Sequence, residues 1–251
     1  MKTTRRYGWH PSGPDKRDRR FFRWLSAVLP QSADWTAKLP PCYDQGQLGS
    51  CTANALAGAL QFLQAAQNEP LVMPSRLFIY FNERVIEDSV ASDSGAEIRD
   101  GIKSINSQGC CPESEWPYDE LQFSASPPVN CYADAAKELL LQYRAVDNTV
   151  LEDLKAALLL GPVVGGFTVY DSFESDAVAT AGIVPMPDLS KETVQGGHAI
   201  LVVGYDDSKQ VFIVRNSWGT TWGLKGYFTV PYAYFTDPDL ASDFWLCQRQ
   251  S

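Results

Sequence analysis

The sequence predicts an α+β protein in which helices come first and strands later. Three observations carry this. An Ala- and Leu-rich run over residues 51–66 repeats its apolar positions at helical spacing. Short β-branched runs bounded by Gly, Asp and Asn occupy residues 163–230. The two kinds of segment do not alternate, which argues for a helical lobe beside a β lobe and not for a parallel βαβ sheet. With 251 residues, 45% hydrophobic and 20% charged, the chain has apolar content for one large domain or two lobes sharing an interface.

Residues 1–28 read as a basic arm. Gly8-Trp9-His10-Pro11-Ser12-Gly13-Pro14 excludes a helix there. The arm's eight Lys/Arg (Lys2, Arg5, Arg6, Lys16, Arg17, Arg19, Arg20, Arg23) against Asp15 and Asp18 give +6. Because the whole chain is −9, the rest carries −15. Tyr7, Trp9, Phe21, Phe22 and Trp24 are too many large aromatics for a free tail. The apolar stretch Phe21–Leu29 holds a charge and aromatics, so it reads as structure and not as a secretory signal. No run of 18 apolar residues exists, and no membrane-spanning segment is expected.

After Pro40-Pro41 comes the loop Asp44–Ser50, then the helix Cys51–Ala66 with Ser50 as its expected N-cap. Two further helices are predicted near Arg76–Ile86 and Ala96–Ser107. Residues 110–131 read as irregular because of Pro112, Pro117, Pro127 and Pro128, and a short helix near Val150–Leu160 stops at Gly161-Pro162. Strands are predicted at Val163–Val169, His198–Tyr205, Val211–Arg215 and Gly226–Val230. The turn Asp206–Lys209 joins the second and third as a hairpin.

The net charge of −9 argues against nucleic acid as a partner. Six cysteines occur: Cys42, Cys51, Cys110, Cys111, Cys131 and Cys247. With one reserved for chemistry, at most two disulfides form, and the pairing is not legible. Neither Cys-x-x-Cys nor another metal-ligand spacing is present, so no metal and no cofactor are expected.

Cys51 at a helix N-terminus faces unpaired N–H groups and the positive end of the helix dipole. Such placement is expected to lower a thiol pKa into roughly the 3.5–7.5 range. A thiolate nucleophile needs an imidazole beside it. The chain has two histidines; His10 lies in the arm, which leaves His198, at the head of an apolar strand. A third group must fix the imidazole tautomer, and Asn216, ending the partner strand of the hairpin, is placed for it. Trp218 follows as a shield against water. Oxyanion donors are expected from the Cys51 N–H and the Gln45 side chain.

Together these residues resemble the papain-like cysteine peptidases. Gln45-Gly46-Gln47-Leu48-Gly49-Ser50-Cys51 is similar to the family's nucleophile segment. Gly196-Gly197-His198-Ala199-Ile200 is similar to its histidine strand in the cathepsin B form. Asn216-Ser217-Trp218-Gly219 with Trp222-Gly223 and Gly226-Tyr227 matches its asparagine motif, and Leu29-Pro30 with Asp34-Trp35 resembles the start of mature members. The shape resembles that of bacterial members such as xylellain. The resemblance covers about residues 29–235. It implies a papain-like two-lobed fold: a mostly helical lobe over 29–140, a β-barrel-like lobe over 141–251, and an active-site cleft between them.

The resemblance also implies Cys51 as nucleophile, His198 as acid/base, Asn216 as orienter and Gln45 as oxyanion donor. The expected substrate-binding positions are Gly95, Ala96, Gly197 and Trp218. Leu48 replaces a half-cystine of the family and Thr52 an aromatic residue. The Gly-Gly substrate loop is reduced to Ser94-Gly95-Ala96. With His198 the only histidine outside the arm, the paired-histidine exopeptidase device is absent, so endopeptidase action on polypeptides is expected, from a monomer. The same machinery also serves amidase or transglutaminase-like acyl transfer, and the fold alone serves a non-catalytic binding protein. Residues 1–28 precede the mature-like start and are expected to act as a short inhibitory pro-segment lying on the acidic body.

Overall fold

A computed structural model describes residues 5–23, 28–136 and 141–249 of the chain. Trp24, counted above among the arm's aromatics, lies outside the described residues, as does Lys2. The helices are α1 (Cys51–Ala66), α2 (Arg76–Ile86), α3 (Ile98–Gln108), α4 (Val129–Ala135), α5 (Leu151–Leu158), α6 (Asp176–Ala181) and α7 (Tyr232–Thr236). The strands are β1 (Ser32–Asp34), β2 (Leu141–Val146), β3 (Val163–Tyr170), β4 (Val194–Asp206), β5 (Val211–Arg215), β6 (Tyr227–Pro231) and β7 (Ala241–Arg249). They form one antiparallel sheet in the order β2-β7-β3-β4-β5-β6, with β1 also paired to β4.

The helices expected at Cys51–Ala66, near Arg76–Ile86, near Ala96–Ser107 and near Val150–Leu160 are present, the third starting at Ile98 and the fourth spanning Leu151–Leu158, and so is the β4–β5 hairpin, with Asp206 opposite Val211. Several elements were not expected. β7 carries the run Phe244-Trp245-Leu246-Cys247, buried at every position, so the alternation that marks a strand is missing. α4 starts directly after Pro127-Pro128, inside the stretch read as irregular; Pro128 occupies its N-cap position. β1, β2, α6 and α7 are too short to show a period.

Two cores flank the sheet. One joins α1, α2 and α3 to Val164, Leu201, Val203 and Trp245. The other packs α5 and the aromatics Phe167, Phe173, Phe228 and Phe235 on the opposite side. α1 is the central helix. It is buried on nearly all sides, which explains why it is built of Ala and small residues instead of showing a polar face.

The loop that follows α2 is held by one cation. Arg84 is fully buried and donates to the carbonyls of Tyr80 (3.0 Å), Val90 (2.9 Å), Ser92 (3.1 Å) and Phe123. Arg84→Met leaves these buried acceptors unpaired and is expected to cost about 3–5 kcal/mol, the range for breaking a buried charged network. Denaturant unfolding of the two proteins measures it; a loss below 1 kcal/mol would mean that water replaces the guanidinium without cost.

Candidate active site

Cys51 opens α1 where the helix meets β4. Ser50 stands at the N-cap position, but its side chain does not cap the helix. Its Oγ pairs with the Tyr118 hydroxyl at 2.5 Å and accepts from Asn54 Nδ2 at 3.1 Å. The expected Ser50 cap is therefore corrected: the hydroxyl is committed to holding the loop. That loop is braced at successive positions. Tyr118 donates to the Gln45 carbonyl (2.9 Å), Glu120 accepts from the Gln47 N–H (3.0 Å), and Asp93 accepts from the Gly49 N–H (2.9 Å).

His198 lies within β4 opposite Phe167 of β3, and Asn216 follows the last residue of β5. The hairpin brings His198 Nε2 to 2.8 Å from Asn216 Oδ1. The Ser217 N–H donates to the same Oδ1 at 2.8 Å, which identifies that atom as the acceptor. Nε2 therefore carries the proton, and neutral His198 keeps its lone pair on Nδ1, an atom without a hydrogen-bond partner. The Trp218 ring covers the imidazole, with centroids 5.1 Å apart and planes tilted by 31°. The next link in β4 reaches the thiol: the Ala199 N–H donates to Cys51 Sγ at 3.4 Å. Gln45 is buried nearby. Its Oε1 accepts from Ser217 Oγ at 2.5 Å, and its Nε2 donates to the Leu48 carbonyl at 2.9 Å.

The arm runs through the cleft over these groups. The Gly8 backbone comes to the Cys51 sulfur and favours its thiolate. The Gly8 carbonyl accepts from the Ala96 N–H (2.7 Å), the Trp9 N–H donates to the Gly197 carbonyl (2.9 Å), and Gln45 Nε2 lies 3.4 Å from the Arg6 carbonyl. Only glycine fits at position 8, where a Cβ would stand 1.7 Å from the Gly49 carbonyl oxygen. Trp9 enters a slot that a Cβ on Gly166 would fill, and its indole N–H donates to the half-buried carboxylate of Asp243 at 3.3 Å. Ion pairs hold the flanks: Arg5 with Asp44 (2.8 Å) and Arg6 with Asp93 (3.0 Å). Tyr7 donates to Glu174 at 2.7 Å and sets its ring edge-on to His198. Of the arm's other described aromatics, Phe21 is buried and Phe22 is 77% exposed.

Of the expected site residues, Cys51, His198, Asn216, Gln45, Gly197 and Trp218 are thus brought together. Gly95 and Ala96 line the opposite wall against the arm. The expected lowering of the Cys51 pKa does not hold in this state. Burial pushes it up to about 11, against the opposing Ala199 N–H and Gly8 backbone. Burial also lowers His198 to about 4, opposed by its bond to Asn216. Under the arm, both groups are neutral at pH 7. Sequence reasoning missed Asp93, Ser217, Tyr118 and Asp243. Ser217 was visible only as a member of the asparagine motif, Asp243 lies in a strand that alternation did not reveal, and Asp93 and Tyr118 read as ordinary loop residues.

Residues 29–234 match the papain family of cysteine proteases. A relative from Acanthamoeba polyphaga mimivirus, described as an uncharacterized peptidase C1-like protein, is 43% identical over 273 aligned positions, covering 98% of this chain and 88% of that protein. Xylellain, a cysteine protease from Xylella fastidiosa, superposes with a TM-score of 0.93 at 41% identity, over 100% of this chain and 98% of that one. Digestive procathepsin L 3 of Tenebrio molitor shares the fold at a TM-score of 0.75 and 22% identity, over 98% of this chain and 77% of its own. The chain belongs to the papain family of cysteine proteases, and its fold is the two-lobed α+β fold of that family.

The bond between Nε2 and Asn216 predicts a readout in the full chain. Nitrogen-15 NMR of His198 at pH 7 is expected to show the Nε2–H tautomer, with a titration midpoint well below 6.5 and near 4. Because the Asn216 bond raises this pKa, Asn216→Ala is expected to lower the midpoint further and to mix the tautomers. A midpoint near 6.5 in the unmodified chain would contradict the burial.

Proposed function

We propose that this chain hydrolyses internal peptide bonds of polypeptides through an acyl-enzyme on Cys51, and that residues 5–23 of its arm mask the site until they are displaced. The observation that carries the reading is the Ala199 N–H contact. It holds Cys51 Sγ against the backbone beside His198, whose ring Asn216 has already oriented.

Each group then has a step. With the arm displaced, the Cys51 proton passes to His198 Nδ1, giving a thiolate–imidazolium pair. The thiolate attacks the scissile carbonyl carbon, and the oxygen that becomes negative accepts from Gln45 Nε2 and the Cys51 N–H. Imidazolium Nδ1 gives its proton to the departing nitrogen as the C–N bond breaks, leaving the acyl group on sulfur. Water then gives a proton to Nδ1 while its oxygen attacks the thioester; the C–S bond breaks and the acid leaves. Asn216 keeps Nδ1 aimed throughout, and Trp218 keeps water from that hydrogen bond.

The path of the arm supports both the substrate class and the masking. A polypeptide backbone lies between the Ala96 N–H and the Gly197 carbonyl, continuing to Ser12 on one side of Cys51 and to Arg5 on the other. A cleft that takes chain on both sides suits an endopeptidase. The slot filled by Trp9, with Asp243 accepting from it, suits a large substrate side chain that carries a hydrogen-bond donor.

The chain beginning at Leu29 is expected to cleave fluorogenic peptides at least about 100-fold faster than the full chain, and Cys51→Ala is expected to abolish cleavage in both. Equal rates in the two lengths would reject the masking; cleavage surviving Cys51→Ala would reject the nucleophile. In the full chain, Trp9→Ala removes a buried anchor of the arm. At about 3–5 kcal/mol for such a truncation, it is expected to raise activity by roughly two orders of magnitude or more. Arg17→Ala, whose guanidinium pairs only within the arm, is expected to leave activity unchanged.

A further inference from the structure

The structure assembles a second group of chemically active side chains away from the cleft. Cys111 closes the strap that follows α3, its carbonyl accepting from the Ser75 N–H at 2.8 Å. Cys131 lies in the first turn of α4. Both are fully buried. Glu115, half-buried on the turn between them, completes the group, and the two sulfurs and a carboxylate oxygen all lie within 4.8 Å of one another. The neighbouring Cys110 is directed elsewhere: its thiol donates to the carbonyls of Ser75 and Cys111.

We propose that Cys111, Cys131 and Glu115 bind one zinc-type divalent cation. Zinc–sulfur bonds of about 2.3 Å and zinc–oxygen bonds of about 2.0–2.2 Å in a tetrahedron put ligand atoms roughly 3.5–3.8 Å apart. Contraction by roughly 1.3 Å at most therefore completes the site. Water supplies the fourth ligand from the side of Glu115, the exposed member. Binding replaces two S–H bonds by two metal–sulfur bonds and releases two protons to solvent. The carboxylate argues for a cation over a disulfide. Glu115 Oε2 already accepts from Asn130 Nδ2 at 3.2 Å; a disulfide would join the two sulfurs alone, whereas a dication is attracted by all three groups at once.

The position of the group gives such a metal a task. The chain between Cys111 and Cys131 carries Tyr118 and Glu120, which brace Gln45 and Gln47, and Glu113, which pairs with Arg76 at 2.7 Å. A metal joining its two ends clamps the segment that holds the nucleophile loop in place. This inference does not depend on the peptidase reading, because none of its ligands belongs to the cleft.

The test uses the full chain carrying Cys51→Ala, so that the cleft thiol is absent, kept reduced with a phosphine. Titration with Co²⁺ is expected to give one equivalent of binding with a thiolate-to-cobalt charge-transfer band, tetrahedral d–d bands, and displacement by Zn²⁺. Two protons are expected to be released per metal in weak buffer. Cys111→Ser and Cys131→Ser should each abolish the paired-thiolate spectrum, while Cys110→Ser and Cys42→Ser should keep it. Glu115→Gln, at a half-exposed position where misfolding is not at issue, should weaken binding roughly tenfold or more. Absence of the charge-transfer band at one equivalent would overturn the site, as would its survival in Cys131→Ser or an unchanged affinity in Glu115→Gln. A Cys111–Cys131 disulfide found by peptide mapping of the protein as isolated from its host, with no bound metal, would also overturn it.

Discussion

Desolvation of one thiol and one imidazole governs the state of this molecule. Cys51 and His198 are both sealed from water, and in a low-dielectric site each favours its uncharged form. The thiol moves up to about 11 and the imidazole down to about 4. The charge-separated pair that would attack a carbonyl therefore does not form at neutral pH. The Ala199 N–H and the Gly8 backbone pull the thiol the other way but do not overcome burial. On the proposed masking, the arm would act chemically as well as sterically: the backbone that fills the cleft also removes the water that would support two opposite charges.

The fold supplies what this arrangement needs. β4 contributes both the imidazole and, one residue later, the N–H that touches the sulfur, so register alone sets the distance between the two lobes' contributions. β5 ends where Asn216 meets His198 from the adjacent strand. On the helical side the nucleophile loop is pinned by residues from well-separated parts of the chain: Tyr118, Glu120, Asp93 and Ser217. Asp93 has a double part, because the carboxylate that fixes Gly49 also receives Arg6 of the arm. Arm docking and loop order are therefore linked through one side chain. Charge attracts the arm, but exposed pairs such as these are each worth little; the buried Trp9 and the backbone bonds around Gly8 supply most of its hold.

The sequence made much of the site legible, for physical reasons that differ by residue. Cys51 stood out because a thiol at the start of an Ala-rich helix has an electrostatic consequence, and His198 because it is the only histidine outside the arm. Asn216 depended on a hairpin, which the Asp206–Lys209 turn announced, but its register did not follow from the turn. Strand β7 escaped notice because burial on both faces erased alternation. The same strand carries Asp243, so the slot for Trp9 escaped with it. The direction of the Cys51 shift was legible only for an open cleft. Helix position argues for a low value, and nothing in residues 5–10 announces that their backbone will lie on the sulfur. The nearness of Cys111 to Cys131 was hidden for a similar reason. Nineteen residues, most of them irregular, separate them, and only the packing of α4 against the strap after α3 brings them together.

The masked state rests on the ionisation of one thiol. The rate of Cys51 alkylation by iodoacetamide, followed by mass spectrometry of the Cys51 peptide from pH 5 to 11, measures it directly in the full chain and in the chain beginning at Leu29. For a thiol near 11 the thiolate fraction at pH 7 is on the order of 10⁻⁴, so the full chain is expected to react slowly and to speed up about tenfold per pH unit up to about pH 11. The shorter chain is expected to react orders of magnitude faster at pH 7, with a profile already flat at neutral pH. Matching profiles in the two chains, or a full-chain thiol that is ionised at neutral pH, would contradict it.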